Sequence, residues 1–215
     1  WRTSAMRGLG AFVNVYAIET LMDDIALSQG KDPLEFRLSN LKDERVIAVL
    51  EQVGEISNWG SNNPDTYKGI AFSRYKNIGA YCALVAEIKV DEEIELINSW
   101  AVIDAGEIVN PDGIKNQIEG GIIQATSCTL IEEVNFDQEI ILAKDWETYP
   151  ILKFNQIPKI YVDIIDRPEE PFLGVGEAAH GPTAAAISNA LMSALNIRIK
   201  ELPITRDRII SSVNG

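Results

Sequence analysis

Helical and strand-like patterns occupy separate blocks of this sequence, which limits the folds open to it. The first part of the chain carries apolar side chains at helical spacing, whereas the later part contains alternating strand patterns together with two long helical stretches. Helices and strands in separate blocks are typical of α+β proteins rather than of alternating βαβ folds. We therefore predict an α+β fold in which a helical N-terminal part precedes mixed or antiparallel strands packed with two long helices.

Three helices are predicted in the first block from their start and stop signals. The first ends at Gly30, the second begins after Asp32 as its cap, and the third is capped by Asp43. A polar loop follows the third helix and is the expected subdomain boundary. It divides the chain into a helical segment, 1–60, and an α+β subdomain, 61–215.

The second block predicts neighbouring strands over 84–90 and 94–103 and a further strand over 157–165. A long helix begins at Pro111 between them. After the last strand, a glycine-bearing loop leads into an alanine-rich helix over 183–196. These are the two long helices expected to pack with the strands.

Charge and hydropathy exclude two broad classes of protein. The net charge is −13, with 32 acidic and 19 basic residues, so the broad basic face that nucleic acid binding requires is not expected. No apolar run approaches the ~18 residues of a membrane span. The chain begins at Trp1 without an initiator methionine, and we interpret it as a fragment of a longer subunit.

Cysteine and histidine are too few for most metal chemistry within this chain. Cys82 and Cys128 are the two cysteines, whereas an iron–sulfur cluster needs about four thiolates. We expect core thiols, with a disulfide as the alternative. His180 is the single histidine, which argues against a zinc site or a Ser-His-Asp triad built here.

Two glycine-bearing segments are candidate binding sites, each with a plain structural alternative. Arg7 with Gly8 and Gly10 would hold an anion beside backbone amides, although the residues alone favour a capped helix start with a surface arginine. In the helix after Pro111, the pair Gly120–Gly121 costs about 1 kcal/mol per glycine. That cost indicates a close neighbour, with helix packing slightly favoured over a ligand, and Gln117 nearby can both donate and accept hydrogen bonds.

The third segment places Glu177 directly after Gly174 and Gly176. Glycine lacks a Cβ atom, so the backbone there can bend sharply and approach a ligand closely. Glu177 is expected beside free amides near the start of the next helix. A glycine turn before a buried helix, with Glu177 solvated, is an equal alternative.

Taken together, these segments resemble the large subunit of the molybdenum hydroxylases, the xanthine dehydrogenase and aldehyde oxidase superfamily. The likeness is greatest to the molybdopterin-binding subunit of the nicotinate dehydrogenase and isoquinoline oxidoreductase type. It runs over nearly the whole chain, which matches the C-terminal part of such a subunit. The shared stretches are Arg2–Gly10, Asp32–Arg37, Arg74–Asn77, Asp104–Gly106 with Asn110–Pro111, Gln117–Gly121 and Gly174–Glu177.

The resemblance implies an α+β molybdenum-cofactor-binding domain and assigns roles to particular residues. Glu177 matches the catalytic base of the family, and burial is expected to raise its pKa toward the working pH. Gln117 matches a glutamine that hydrogen-bonds the cofactor. The remaining cofactor-binding matches lie in two glycine loops and none is a direct metal ligand; they are Arg7, Gly8, Gly10, Gly174 and Gly176. Leu9 departs from the bulky or aromatic residue of the family pattern, and His180 is expected in a surface or capping role rather than facing the substrate.

The resemblance also implies a reaction and its partners. The enzyme would hydroxylate an aldehyde or N-heteroaromatic carbon with water-derived oxygen, using a molybdenum–molybdopterin cofactor, with the cytosine dinucleotide form as one candidate. Electrons would pass to iron–sulfur clusters on a small [2Fe-2S] subunit, with a cytochrome or flavin subunit as a further candidate partner. Cytoplasm and periplasm both remain open. The fragment is expected to be inactive without the N-terminal half, and a non-catalytic docking or scaffold module is the alternative.

Overall fold

Six α-helices and four β-strands form the part of the chain that the computed structural model describes, residues 3–61 and 63–214. The helices are α1 (Leu9–Ser28), α2 (Pro33–Asn40), α3 (Glu44–Ile56), α4 (Pro111–Leu130), α5 (His180–Leu195) and α6 (Arg206–Asn214). The strands are β1 (Tyr67–Arg74), β2 (Tyr81–Val90), β3 (Ile94–Asp104) and β4 (Lys159–Ile165). The separate blocks of helix and strand confirm the predicted α+β class.

The four strands form one mixed sheet in the order β1-β2-β3-β4. The β1–β2 and β2–β3 pairs are antiparallel, whereas β3 and β4 are parallel. A parallel pair needs a crossover connection, and α4 lies in the segment that links these two strands. The prediction of mixed strands packed with two long helices is therefore confirmed.

The sheet lies between two helical layers. On one face it shares a core with α3, through Val49, Leu50 and Val53. On the other face it packs against α4 and α5, where Ile118, Ile122, Ile187 and Leu191 join the side chains of β2 and β3. Helix α1 packs on α5 and so forms an outer layer. Helix α3 and the strands after it share one core. The division of the chain at residue 60 stays a prediction.

Side-chain caps set the starts of three helices, and the sequence predicts two of these caps, Asp32 and Asp43. The Asp32 carboxylate accepts hydrogen bonds from the amides of Leu34 and Glu35 at the start of α2. Asp43 caps α3, and Asn110 caps α4 immediately before Pro111. Each cap satisfies amides that the first helical turn leaves unpaired.

Two elements lie outside what the pattern indicated. Strand β1 is interrupted in sequence by Gly69, which weakens its strand pattern. A Cβ atom at Gly69 would lie 2.1 Å from the amide nitrogen of Ala190 and 2.2 Å from the carbonyl oxygen of Ala186. That glycine therefore permits α5 to lie directly on β1. Helix α6 is the second unpredicted element.

Helix α5 begins at His180, three residues before the predicted start. From His180 to Leu191 every residue is buried, because the helix is covered by the sheet and by α1. The alanine-rich helix predicted from the sequence is therefore buried on all sides for most of its length. No helix in the described part of the chain is long and apolar enough to cross a membrane. Both cysteines are free thiols, Cys82 buried and Cys128 half-buried.

Candidate functional site

The three glycine-bearing segments meet at one place in the fold. The backbone amide of Gly8 donates a 2.9 Å hydrogen bond to Oε1 of Glu177. Gln117 lies in the first turns of α4 and reaches the same place through Arg7. Segments far apart in sequence thus form one cluster at the starts of α1, α4 and α5.

Arg7 connects these segments with one guanidinium group. Its Nε donates to the carbonyl oxygen of Gly176 at 2.6 Å. Its Nη2 donates to the carbonyl oxygen of Gln117 at 2.9 Å and to Oε1 of that side chain at 3.1 Å. Helix α1 begins at Leu9, and the residue before it, Gly8, provides no side-chain cap. The favoured sequence interpretation, a capped start with an ordinary surface arginine, is therefore wrong.

Gly8 has a backbone conformation that only glycine adopts easily. Its φ is 92°, in the left-handed region. A Cβ atom there would lie 3.2 Å from the Cβ of His180. Both the φ angle and the lack of space favour glycine at the position whose amide donates to Glu177.

His180 is buried, with 2% of its surface exposed. The expected surface or capping role is therefore wrong, because α1 covers this end of α5. Its ring meets that of Phe12 edge to face at 6.0 Å. Burial, followed by the nearby charge of Arg7, lowers the pKa of His180 to about 4. The imidazole is therefore neutral at pH 7, and its buried Nδ1 has no hydrogen-bond partner among the described residues.

Glu177 is half-buried at the edge of an opening rather than enclosed. Its interaction with the Tyr75 hydroxyl and the hydrogen bond from the Gly8 amide hold its pKa below the ordinary glutamate value. The positive charge of Lys76 acts in the same direction. Burial acts in the opposite direction and is the weaker influence. The expectation that burial raises the pKa of Glu177 is therefore wrong in this structure, where the carboxylate is held in its ionised form.

Two openings adjoin this cluster. The smaller, of about 340 Å³, is lined by Glu177, Gly174 and Gly176 together with Tyr75, Lys76, Ile78 and Gly79. The larger, of about 560 Å³, is lined by Ser4, Ala5, Met6, Arg7, Leu9, Gly10, Phe12, Cys128, Glu132, Val134, Tyr149 and His180. Glu177 lies at the first opening, while Arg7 and Gly10 border the second.

Gly174 and Gly176 leave room rather than bend sharply. Neither has a positive φ angle. A Cβ atom at Gly174 would meet nothing within 4 Å, and one at Gly176 would meet only Oε1 of Gln117, at 3.7 Å. The described chain therefore does not require glycine at either position. Small residues facing an opening are compatible with a group that approaches from outside the chain.

Gly120 and Gly121 have the close neighbours that their cost in helix stability indicated. A Cβ atom at Gly121 would lie 3.3 Å from the Cβ of Ala179, and one at Gly120 would lie 3.7 Å from Nη1 of Arg7. The favoured interpretation, close packing against the start of another helix, is confirmed. The same packing holds α4 near Arg7.

Tyr75 and Lys76 were not assigned a role from the sequence. They lie in a short 3-10 turn, Tyr75–Asn77, between β1 and β2. The available signal was their place in a stretch shared with the molybdenum hydroxylases, but nothing in local spacing connects them to Glu177. Among the described residues, no group of three or more His, Cys, Asp or Glu side chains could hold a metal ion.

Comparison with known proteins gives consistent matches. Models of the molybdopterin cofactor-binding domain match residues 1–41 and 41–158. A nicotinate dehydrogenase subunit of Pseudomonas putida is 37% identical over 100% of this chain, which spans 20% of that protein. The beta subunit of isoquinoline 1-oxidoreductase from Brevundimonas diminuta is 32% identical over 93% of this chain, which spans 26% of that protein.

A solved structure shows the same fold at lower sequence identity. The aldehyde oxidoreductase of Desulfovibrio gigas superposes with a TM-score of 0.81 at 17% identity, over 99% of this chain and 42% of that one. At that identity the likeness concerns the fold alone. The chain thus corresponds to a fifth to a quarter of the length of the two relatives named above.

Proposed function

This chain belongs to the molybdopterin cofactor-binding domain family, and we propose that it is the part of a molybdenum hydroxylase that supplies the catalytic base, Glu177. The observation that carries the proposal is the Glu177 carboxylate, which accepts a hydrogen bond from the Gly8 amide and faces an opening. A general base must be unprotonated and must lie within hydrogen-bond reach of the proton that it takes, and Glu177 faces an opening that a ligand can enter.

Substrate, electron route and partners follow from the relatives as proposals. The substrate is an N-heteroaromatic compound or an aldehyde, hydroxylated with oxygen derived from water. Relatives named as subunits of nicotinate dehydrogenase and isoquinoline 1-oxidoreductase favour the heteroaromatic class. A separate small [2Fe-2S] subunit would receive the electrons, since two cysteines cannot hold such clusters here.

The residues around Glu177 fit a bound cofactor on two observations. Gly174 and Gly176 border an opening in which a Cβ atom at Gly174 would meet no other part of the chain, so a bulky group can approach the backbone there. Oε1 of Gln117 accepts from Arg7, which leaves its amide NH2 as a donor on an exposed side chain.

The start of α1 adds backbone donors to the same site. Gly10 lies in the first turn of α1, which has no side-chain cap, and lines the larger opening, where its amide would be offered to an electron-rich group. When bound, the molybdenum–molybdopterin cofactor supplies the redox chemistry, and the protein supplies position and electrostatics. The cytosine dinucleotide form remains one candidate for the form bound.

In the proposed mechanism Glu177 and Arg7 have different roles. Glu177 accepts a proton on its carboxylate, most readily at the oxygen that is not bonded to Gly8. Arg7 fixes the loop that carries Glu177 relative to Gln117, so that base and cofactor contacts keep one geometry. Displacement of such groups by ~0.5 Å is enough to impair a catalytic site.

The decisive experiment is Glu177→Gln in the full-length subunit assembled with its partners. The amide keeps the shape of the side chain and cannot act as the base, so we expect turnover to fall at least ~10²-fold with molybdenum content unchanged. Glu169→Gln is the matched control, because Glu169 is an exposed glutamate on the segment that precedes the same loop.

The outcomes separate the enzyme from a docking module. Turnover of Glu177→Gln near the wild-type value, with normal molybdenum content, would remove Glu177 from the mechanism. A well-folded, fully assembled wild-type complex without molybdenum would instead favour a non-catalytic docking or scaffold role.

A further inference from the structure

Tyr75 brings a phenol hydroxyl to the Glu177 carboxylate from a different part of the chain. Both side chains line the same 340 Å³ opening. The hydroxyl oxygen is buried and forms no hydrogen bond of standard geometry with any described residue. The Glu177 carboxylate lines the same opening, and the influence of this hydroxyl lowers the pKa of Glu177. Hydrogen bonds at unliganded sites are often long and tighten when the site is filled.

The hydroxyl remains protonated throughout the working range of pH. Burial, followed by the interaction with Glu177, raises the pKa of Tyr75 to about 12. A phenol that stays protonated can only donate to an ionised carboxylate. Its contribution therefore favours the charged form of Glu177 at every pH at which the enzyme would work.

The turn that carries Tyr75 is strained and firmly attached. Lys76 and Asn77 have φ angles of 49° and 59°, in the left-handed region that non-glycine residues rarely adopt. The amide of Gly79 donates to the carbonyl oxygen of Tyr75 at 2.8 Å, and the amide of Ala80 donates to that of Gly174 at 3.1 Å. The second bond connects this turn directly to the loop of Glu177. Such strain persists only where the surrounding structure over-determines the conformation.

We propose that Tyr75 is a positioning residue for the base: its buried hydroxyl donates to the Glu177 carboxylate and keeps that group oriented into the opening that both residues line. The inference rests on the proposed function, since it assumes that Glu177 acts as the base. Tyr75 itself is not required to touch the substrate or the reacting atoms.

Other charged groups around Glu177 do not replace this contact. Arg7 and Lys76 contribute positive charge from the start of α1 and from the strained turn. His180, from α5, is neutral at pH 7 because its pKa is about 4. The Gly8 amide is part of the backbone and survives any side-chain substitution. Tyr75→Phe therefore removes one donor while leaving the remaining groups in place.

The test measures ionisation of Glu177 without relying on turnover. Carbodiimide activates the protonated form of a carboxyl group, so the rate of Glu177 labelling by an amine, followed by peptide mass spectrometry against pH, gives the midpoint of its titration. In the full-length assembled subunit, we expect Tyr75→Phe to move this midpoint at least ~0.5 pH unit higher, or about threefold in labelling rate above the midpoint. Tyr161→Phe, at an exposed tyrosine stacked on Trp100, should leave it unchanged.

A pH–rate profile then connects the titration to the chemistry. The acid limb of kcat/KM should move by the same amount in Tyr75→Phe. A fluorinated tyrosine at position 75, a more acidic donor in the same place, should move both midpoints in the opposite direction and does not depend on Tyr75→Phe folding normally. An unchanged labelling midpoint in both variants overturns the proposal.

A shifted labelling midpoint with an unmoved acid limb also overturns the positioning role, because Glu177 would then not set the limb. Failure of the proposed function is distinguished separately, by wild-type turnover in Glu177→Gln or by absence of molybdenum. In either of those cases the labelling midpoint of Glu177 can still be measured in the wild-type protein and in Tyr75→Phe, because labelling does not depend on turnover.

Discussion

The backbone amide of Gly8 donates a hydrogen bond to the carboxylate of Glu177 across a separation of 169 residues. A main-chain donor cannot be removed by changing a side chain, so the orientation of the carboxylate depends on the conformation of Gly8. That conformation in turn depends on the packing of α1 against α5. The position of the proposed base is therefore determined by tertiary packing rather than by its own loop.

Gly8→Ala should disturb both stability and the site. The new Cβ atom would require an unfavourable φ of 92° and would lie 3.2 Å from His180, at a cost of about 1–3 kcal/mol for the strain alone. Gly30→Ala is the matched control, because Gly30 also has a positive φ, 65°, but no atom lies within 4 Å of the position that its Cβ would take. Thermal unfolding of the full-length subunit should show the larger loss for Gly8→Ala, and equal losses would argue against the His180 contact.

Arg7→Lys should weaken retention of the cofactor more than it weakens the fold. Lysine keeps the charge but cannot donate simultaneously to Gly176 and Gln117 in the planar geometry of arginine. We expect a lower molybdenum content per subunit, measured by elemental mass spectrometry, with little change in unfolding temperature. Arg206→Lys, at an exposed site on α6, should retain the wild-type content. Full occupancy in Arg7→Lys would contradict the role of this bridge.

Gly174→Ala separates space reserved for a ligand from space required by the fold. The added methyl meets nothing in the described chain, so stability should change by less than ~0.5 kcal/mol. If a cofactor lies against this loop, molybdenum content should nevertheless fall. Gly69→Ala should do the reverse and prevent folding, because its Cβ atom would overlap the backbone of α5. Normal molybdenum content in a stable Gly174→Ala subunit would place the cofactor elsewhere.

The lowered pKa of the buried His180 should make the free energy of unfolding depend on pH. Its pKa falls from 6.5 to about 4 on folding, so the unfolded state binds more protons between these values. Stability is then greatest above pH 6.5 and is lost as the pH falls toward 4, by an amount on the order of 3 kcal/mol. Amide hydrogen exchange in α5 at pH 7 and pH 5 measures this loss. His180→Gln should reduce the difference between the two pH values, and an unchanged difference would mean that His180 is not its source.

Much of the fold follows from local signals in the sequence. Asp32, Asp43 and the Asn110–Pro111 pair mark helix starts through hydrogen bonds that form within a few residues. Such signals are local, and the structure reproduces them. Strand β1 was not predicted because Gly69 breaks its pattern. The structure explains that glycine by the helix α5 that lies on it.

The site was predictable in part, for the same reason. The resemblance selected residues that the structure brings together, including Glu177, Arg7 and Gln117, although their catalytic and cofactor-binding roles stay predictions. Burial of His180 and the approach of Tyr75 were not predictable, because each depends on contacts between distant segments. The direction of the pKa shift at Glu177 was wrong for this reason, since it is determined by donors from two other segments.

The close approach of α5 to β1 at Gly69 limits how this domain can move. With backbone atoms of the helix already at the closest distance to the strand, and Asn189 donating to the carbonyl oxygen of Ile70 at 2.9 Å, α5 cannot slide or tilt as a rigid body without breaking the core. Helix α5 is therefore a fixed support for residues 171–179, which precede it and carry Glu177.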